Sequence, residues 1–312
     1  MPQGSLLRRR DMLGFAGTLL LCALSPLAAE AQDRIKILAS FSILGDFVRN
    51  VGGDRVEVVS LVGPEDDAHV YAPTPADARR VAGARLMVIN GLGFEGWIDR
   101  LVQSSGSRAV PVVASKGIRP LSEPDGHGQG HATHRHDGPD PHAWQDVGNA
   151  RIYVANIRDA LAAADPAHRG VYAANAAAYL EKLNALDKEI RAAIDRIPAE
   201  RRKVITSHDA FGYFEHAYGL TFLAPQGVST ESEPSAADVA RIIRQVRKDR
   251  IPALFLEKFT DPRLMERIAQ ETGARLGARV YSDSLSPPDG PAGTYIDMMR
   301  HNIRAFSTAL SR

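Results

Sequence analysis

Cysteine is nearly absent from this 312-residue chain, and the single one, Cys22, lies inside an apolar leader. Beyond the leader there are neither disulfides nor thiolate metal ligands, so any metal must be held by nitrogen and oxygen. An excess of one charge is missing too. Lys+Arg number 38 against Asp+Glu 37, and setting aside Arg8, Arg9, Arg10, Asp11 and Glu30 leaves 35 of each. No basic stripe emerges to suggest nucleic acid. Long apolar runs are confined to the first residues. The composition, 44% hydrophobic and 24% charged, is that of a globular protein, and the length suits two ordinary domains.

The leader itself is legible. Arg8 to Arg10 precede the apolar "MLGFAGTLLLCALSPLA", and "AEA" at Ala29 to Ala31 has the small residues of a signal-peptidase site. Residues 1–31 are expected to be a cleaved signal peptide, with export to the periplasm. The apolar run is short and broken by Pro26, which argues against a membrane anchor. No small residue stands just before Cys22, which argues against lipidation. "RRRDML" also resembles a twin-arginine signal, so the general secretory and the twin-arginine routes both stay open.

After the leader the pattern alternates strand and helix. Strands are predicted over 34–41, 55–62, 85–90 and 109–115, with helices between them. Such alternation argues for a parallel sheet covered on both faces. A tract at 122–141, "SEPDGHGQGHATHRHDGPDP", interrupts it with almost nothing apolar. A long helix is expected over 166–198, rich in Ala, Leu, Lys and Glu. Alternation then resumes, with strands predicted over 203–207, 221–225, 253–259 and 277–283. The expected fold is α/β: an N-terminal lobe over 32–165, a spine helix over 166–198 and a C-terminal lobe over 199–312.

Ligands of open parallel sheets bind beyond the carboxyl ends of strands. Four metal-competent residues fall just past such ends or at loop junctions: His69 in "DAHVYAPTPAD", His142 in "DPHAWQD", His208 in "SHDAF" and Asp283 in "YSDSLSPP". Two come from each lobe. Taken singly, each has a plainer reading as a loop, cap or turn residue. Taken together they form three imidazoles and a carboxylate, an N3O set suited to closed tetrahedral zinc. Pro73 and Pro75 would stiffen the loop that carries His69 before a metal arrives. His168, His216 and His301 fall within helical runs and are expected to be solvated or packed there.

The blocks "DAHVYAPTPAD", "DPHAWQDVGNARIYVANI", "ITSHDAFGYFEHAYGL" and "VYSDSLS" resemble the ZnuA/TroA-like solute-binding proteins of zinc and manganese ABC importers. The similarity runs from about Ile35 to the C-terminus and looks closest to the zinc-specific AztC type. The resemblance implies two lobes on a rigid helix, with Zn2+ as cargo in the cleft between them. It carries the family's ligands onto His69, His142, His208 and Asp283. Manganese-type members often have Glu where this chain has His208, so Mn2+ is the lesser expectation. The implied partners are an inner-membrane ABC permease with its ATPase, and a periplasmic zinc metallochaperone is a candidate loader of a monomeric receptor.

His127, His131, His134 and His136 precede His142 and are expected to capture zinc loosely. The plainer alternative is weak, purposeless binding by a solvated tract. Two other functions compete with a receptor. A zinc hydrolase would need an open coordination position and a base such as Glu257 or Glu231, yet Asp283 closes the shell and no HExxH-type motif is present. A periplasmic zinc buffer or adhesin would use the same site without a transporter.

Overall fold

The computed structural model describes residues 34–121 and 138–311. The expected leader and the histidines at 127, 131, 134 and 136 lie outside the described residues.

The first sheet contains β1 (Ile35–Phe41), β2 (Val56–Val62), β3 (Leu86–Ile89) and β4 (Val110–Val113), all parallel in the order β2-β1-β3-β4. β1 lies inside the sheet, and Ile37 to Phe41 are buried without alternation, as a strand covered on both faces requires. The helices of this half are α1 (Ser42–Gly52), α2 (Pro75–Ala82), α3 (Ile98–Ser105) and the 18-residue α4 (Val147–Ala164).

The second sheet repeats the arrangement. β5 (Lys203–Ile205), β6 (Thr221–Leu223), β7 (Ala253–Leu254) and β8 (Arg275–Leu276) are parallel in the order β6-β5-β7-β8. In chain order the two sheets are joined through α5 (Arg169–Asp195), 27 residues long and so about 40 Å at 1.5 Å per residue. Its buried positions, Tyr172, Ala176, Tyr179, Leu183, Leu186, Ile190 and Ile194, recur every three or four residues. That spacing makes one continuous apolar stripe. α6 (Gly212–Tyr218), α7 (Ala236–Asp249), α8 (Pro262–Thr272) and α9 (Tyr295–Leu310) complete the second half. Ser235 caps α7 through a reciprocal capping box with Asp238.

Two expectations are corrected. The last strand is not 277–283 but Arg275–Leu276, and Val280 contributes only an isolated parallel bridge to Glu257. Residues 253–259 form only the two-residue strand Ala253–Leu254, followed by the isolated bridge at Glu257. His168 lies in the 3-10 helix Pro166–His168 that leads directly into α5, and its Nδ1 is 2.7 Å from Asp165 Oδ2.

A single core embraces both sheets and the spine. Trp144 is fully buried at its centre, with its ring 5.0 Å from those of Phe41 and Phe94. A smaller core under α7 and α8 gathers Ile242, Val246, Leu254, Met265 and Ile268. Two four-stranded sheets therefore share one interior, and residues at their carboxyl ends are sealed between them.

Candidate metal centre

The loop carrying His69 is held on both sides of the histidine. Downstream, Thr74 caps α2 in a capping box with Asp77, and Pro75 occupies the first turn. Asp77 Oδ2 also accepts the Tyr71 hydroxyl at 2.9 Å. Upstream, the Trp97 indole donates to the Ala68 carbonyl at 2.8 Å, and Asp67 Oδ1 accepts the His69 amide at 2.9 Å. The other oxygen of Asp67 accepts the Thr230 hydroxyl at 2.6 Å, across to the second lobe.

His142 is built by the same local device. Asp140 Oδ1 accepts its amide at 2.9 Å, an Asx turn in the "DPH" of Asp140 to His142 that matches the "DAH" of Asp67 to His69. In this second case the carboxylate oxygen also meets the imidazole, 2.8 Å from Nδ1. The following 3-10 turn, Ala143–Gln145, is tied to the second lobe. Trp144 Nε1 and Gln145 Nε2 both donate to the Ser282 carbonyl at 2.9 Å. That carbonyl immediately precedes Asp283.

His208 lies just past β5, and Glu257 lies just past β7 on the neighbouring strand. Glu257 Oε1 accepts the His208 amide at 2.9 Å, while Oε2 is 2.6 Å from the imidazole Nδ1. The latter is an ion-pair approach whose angle falls outside hydrogen-bond geometry. Oε2 also accepts the Ser282 hydroxyl.

The four side chains converge. One donor atom from each of His69, His142, His208 and Asp283 lies within 4.8 Å of the others. His69 Nε2 and His208 Nε2 are 3.2 and 3.1 Å from Asp283 Oδ2, and His142 Nε2 is 3.5 Å from Oδ1. His69 Nε2 and His142 Nε2 face each other at 3.3 Å. His69 is 7% exposed and the other three are fully buried, so the cluster is closed to bulk water. Phe94, Trp144 and Phe259 set ring edges against the imidazoles and give the cluster apolar walls. Among the described residues neither oxygen of Asp283 has a hydrogen-bond partner. A buried carboxylate of that kind is stable only against positive charge.

The electrostatics agree. Burial would raise the Asp283 carboxyl, yet the charges of His142 and His208 hold it well below the usual carboxylate range. Burial opposes protonation of His142, but Asp283 and Asp140 outweigh it and push the imidazole up to about 9. His208 rises well above its ordinary value, with Glu257 and Asp283 overcoming burial. Burial prevails at His69 and lowers it.

His168, His216 and His301 are not brought here. His301, on α9, places Nε2 2.7 Å from the Arg279 carbonyl. Glu231 is exposed, and Glu257 is engaged by His208. Reading the sequence alone overlooked Asp67 and Asp140. The repeated Asp-x-His spacing is the signal that could have found them.

Two parallel-sheet lobes on one spine, with a buried N3O cluster at the carboxyl ends of both sheets, define a two-lobed solute receptor. The family model described as zinc-uptake complex component A, periplasmic, matches residues 37–309, and the chain belongs to that family of metal-binding substrate-binding proteins of ABC transporters. These are receptors, not enzymes. The chain is 35% identical to the manganese-binding lipoprotein MntA of Halalkalibacterium halodurans, over 91% of each chain. It is 35% identical to the iron-binding protein YfeA of Yersinia pestis, over 88% of this chain and 86% of that one. Among solved structures, the periplasmic zinc binding protein TroA of Treponema pallidum superposes with a TM-score of 0.81. It is 28% identical, over 90% of this chain and all of that one. The Mn-bound periplasmic metal binding protein of Candidatus Liberibacter asiaticus gives 0.78 at 31% identity, over 89% of this chain and all of that one.

Proposed function

We propose that this chain is a periplasmic zinc receptor. It takes Zn2+ between its lobes on His69, His142, His208 and Asp283, and delivers it to an inner-membrane ABC permease driven by its ATPase. The observation that carries the reading is the donor set: three imidazole nitrogens and one carboxylate oxygen, buried and within 4.8 Å of one another. Zinc is borderline-soft and accepts imidazole readily, whereas manganese prefers oxygen. A closed four-ligand shell also suits holding a metal rather than hydrolysis at an open position.

Manganese as cargo is the second reading, favoured by the manganese-binding relative MntA. Release of the bound metal from protein isolated from its native periplasm, followed by elemental analysis, separates the two. Zinc at about one per chain is the expected result; manganese in its place overturns the zinc reading. The ligand assignment is tested by chelator competition. His69→Ala, His142→Ala and His208→Ala should each weaken zinc binding far more than His168→Ala, His216→Ala or His301→Ala. Parent-like affinity in His69→Ala would remove it from the site.

A further inference from the structure

Asp140 belongs to the first lobe's side of the site, but part of what holds it comes from the second. α6 begins at Gly212, and a Cβ built there would lie 2.7 Å from Asp140 Oδ2, closer than real side chains approach. The next residue, Tyr213, donates its hydroxyl to the Asp140 carbonyl at 3.1 Å. The same hydroxyl accepts the amide of Leu121 at 3.0 Å. Asp140 in turn donates its amide to the Leu121 carbonyl at 2.9 Å. The carboxylate is thus fixed through its backbone by Tyr213, and its outer oxygen is seated against a surface that only glycine leaves open. Its inner oxygen, Oδ1, spans the His142 amide and Nδ1 at 2.9 and 2.8 Å.

We infer that Gly212 and Tyr213 are positioning residues for metal binding. They act through Asp140 to set the ring orientation and tautomer of His142, so the second lobe presets a metal-binding group carried by the first. The inference rests on the reading of His142 as a metal ligand. A histidine that binds metal through Nε2 must carry its proton on Nδ1, and a carboxylate accepting that proton fixes the ring and makes Nε2 more basic.

The geometry separates this role from a structural one. Gly212 has a helical backbone, so alanine strains nothing there and removes some chain entropy from the unfolded state. Among the described residues the one group in the way is the end of the Asp140 side chain, which can retreat by several tenths of an ångström at little cost to the fold. That retreat carries Oδ1 away from His142. Gly212→Ala should therefore leave the metal-free protein folded and close to the parent in stability, giving up only part of the Asp140–His142 pairing, while weakening its hold on zinc.

The test combines zinc affinity by chelator competition, metal-free melting temperature, and the visible spectrum of the Co2+-loaded protein for the parent, Gly212→Ala, Asp140→Ala and the double variant. Gly212→Ala is expected to lose about tenfold or more in zinc affinity, within the range for partners of metal-binding histidines. It should also shift the Co2+ bands and keep its metal-free melting temperature. In the Asp140→Ala background the same change should cost little further, because its route to His142 is already gone. Tyr213→Phe, which cannot donate to the Asp140 carbonyl, should give a smaller loss in the same direction. Parent-like affinity and spectrum in a folded Gly212→Ala protein overturn the inference. A loss equally large with and without Asp140 overturns it too. Unchanged zinc binding in His142→Ala would instead overturn the metal-site reading beneath it.

Discussion

Glu257 meets His208 at two points: one carboxylate oxygen takes the backbone amide at 2.9 Å, and the other lies 2.6 Å from the imidazole Nδ1. Both residues are fully buried, so no water replaces either contact. One acidic side chain thereby holds the backbone at His208 by a hydrogen bond and pairs with the imidazole by charge, leaving Nε2 turned toward Asp283.

Removing that carboxylate should act on the metal rather than on the sheet. Glu257→Gln keeps the size and can still accept the His208 amide through its one oxygen, but it brings no negative charge to the Nδ1 side of the ring. Zinc affinity is expected to fall about 10- to 100-fold, the usual range for such partners. Chelator competition on parent and variant checks it. An affinity within twofold of the parent would mean His208 is oriented without Glu257.

Metal choice should turn on His208. His208→Glu would change the N3O set to N2O2 with a carboxylate able to bind through both oxygens. Because manganese prefers oxygen ligands and higher coordination, zinc affinity should drop more than manganese affinity and the gap between them should narrow. Zinc and manganese affinities measured on both proteins at one pH decide it. An unchanged ratio would show that His208 does not bind the metal.

Zinc binding should release protons and strengthen as pH rises. In the metal-free protein the His142 imidazole is pushed up to about 9 and His208 lies well above its ordinary value. Below pH 9 the metal must therefore displace at least one proton. Each proton displaced makes apparent affinity change by about tenfold per pH unit, falling as pH falls. Calorimetric titration at pH 7 in buffers of different ionisation enthalpy measures the number released. Zero protons at pH 7 would contradict the charge pairing between the imidazoles and Asp283.

Much of this protein was determined by local sequence. The strands Ile35–Phe41 and Val56–Val62 show themselves as apolar runs, α5 as a long stretch without glycine or proline past its first turn, and α7 through its Ser235 cap. These are short-range effects of propensity, capping and hydrophobic period, readable within a few turns of chain. His69, His142, His208 and Asp283 stood out for a related reason: each is a metal-competent residue beside a strand end or loop junction. Tertiary structure alone decided the rest. β8 is two exposed residues, Arg275–Leu276, with no periodicity to betray it; it is a strand because β7 offers an edge to pair with. Asp67 reaches Thr230 and Glu257 reaches His208 across chain separations of 163 and 49 residues. Gly212 matters only because Asp140 comes to rest against it. A carboxylate in sequence is equally a surface charge, a helix cap or a histidine's partner, and burial beside one imidazole settles which. That burial depends on two lobes closing on one spine, a long-range packing outcome that no window of sequence contains.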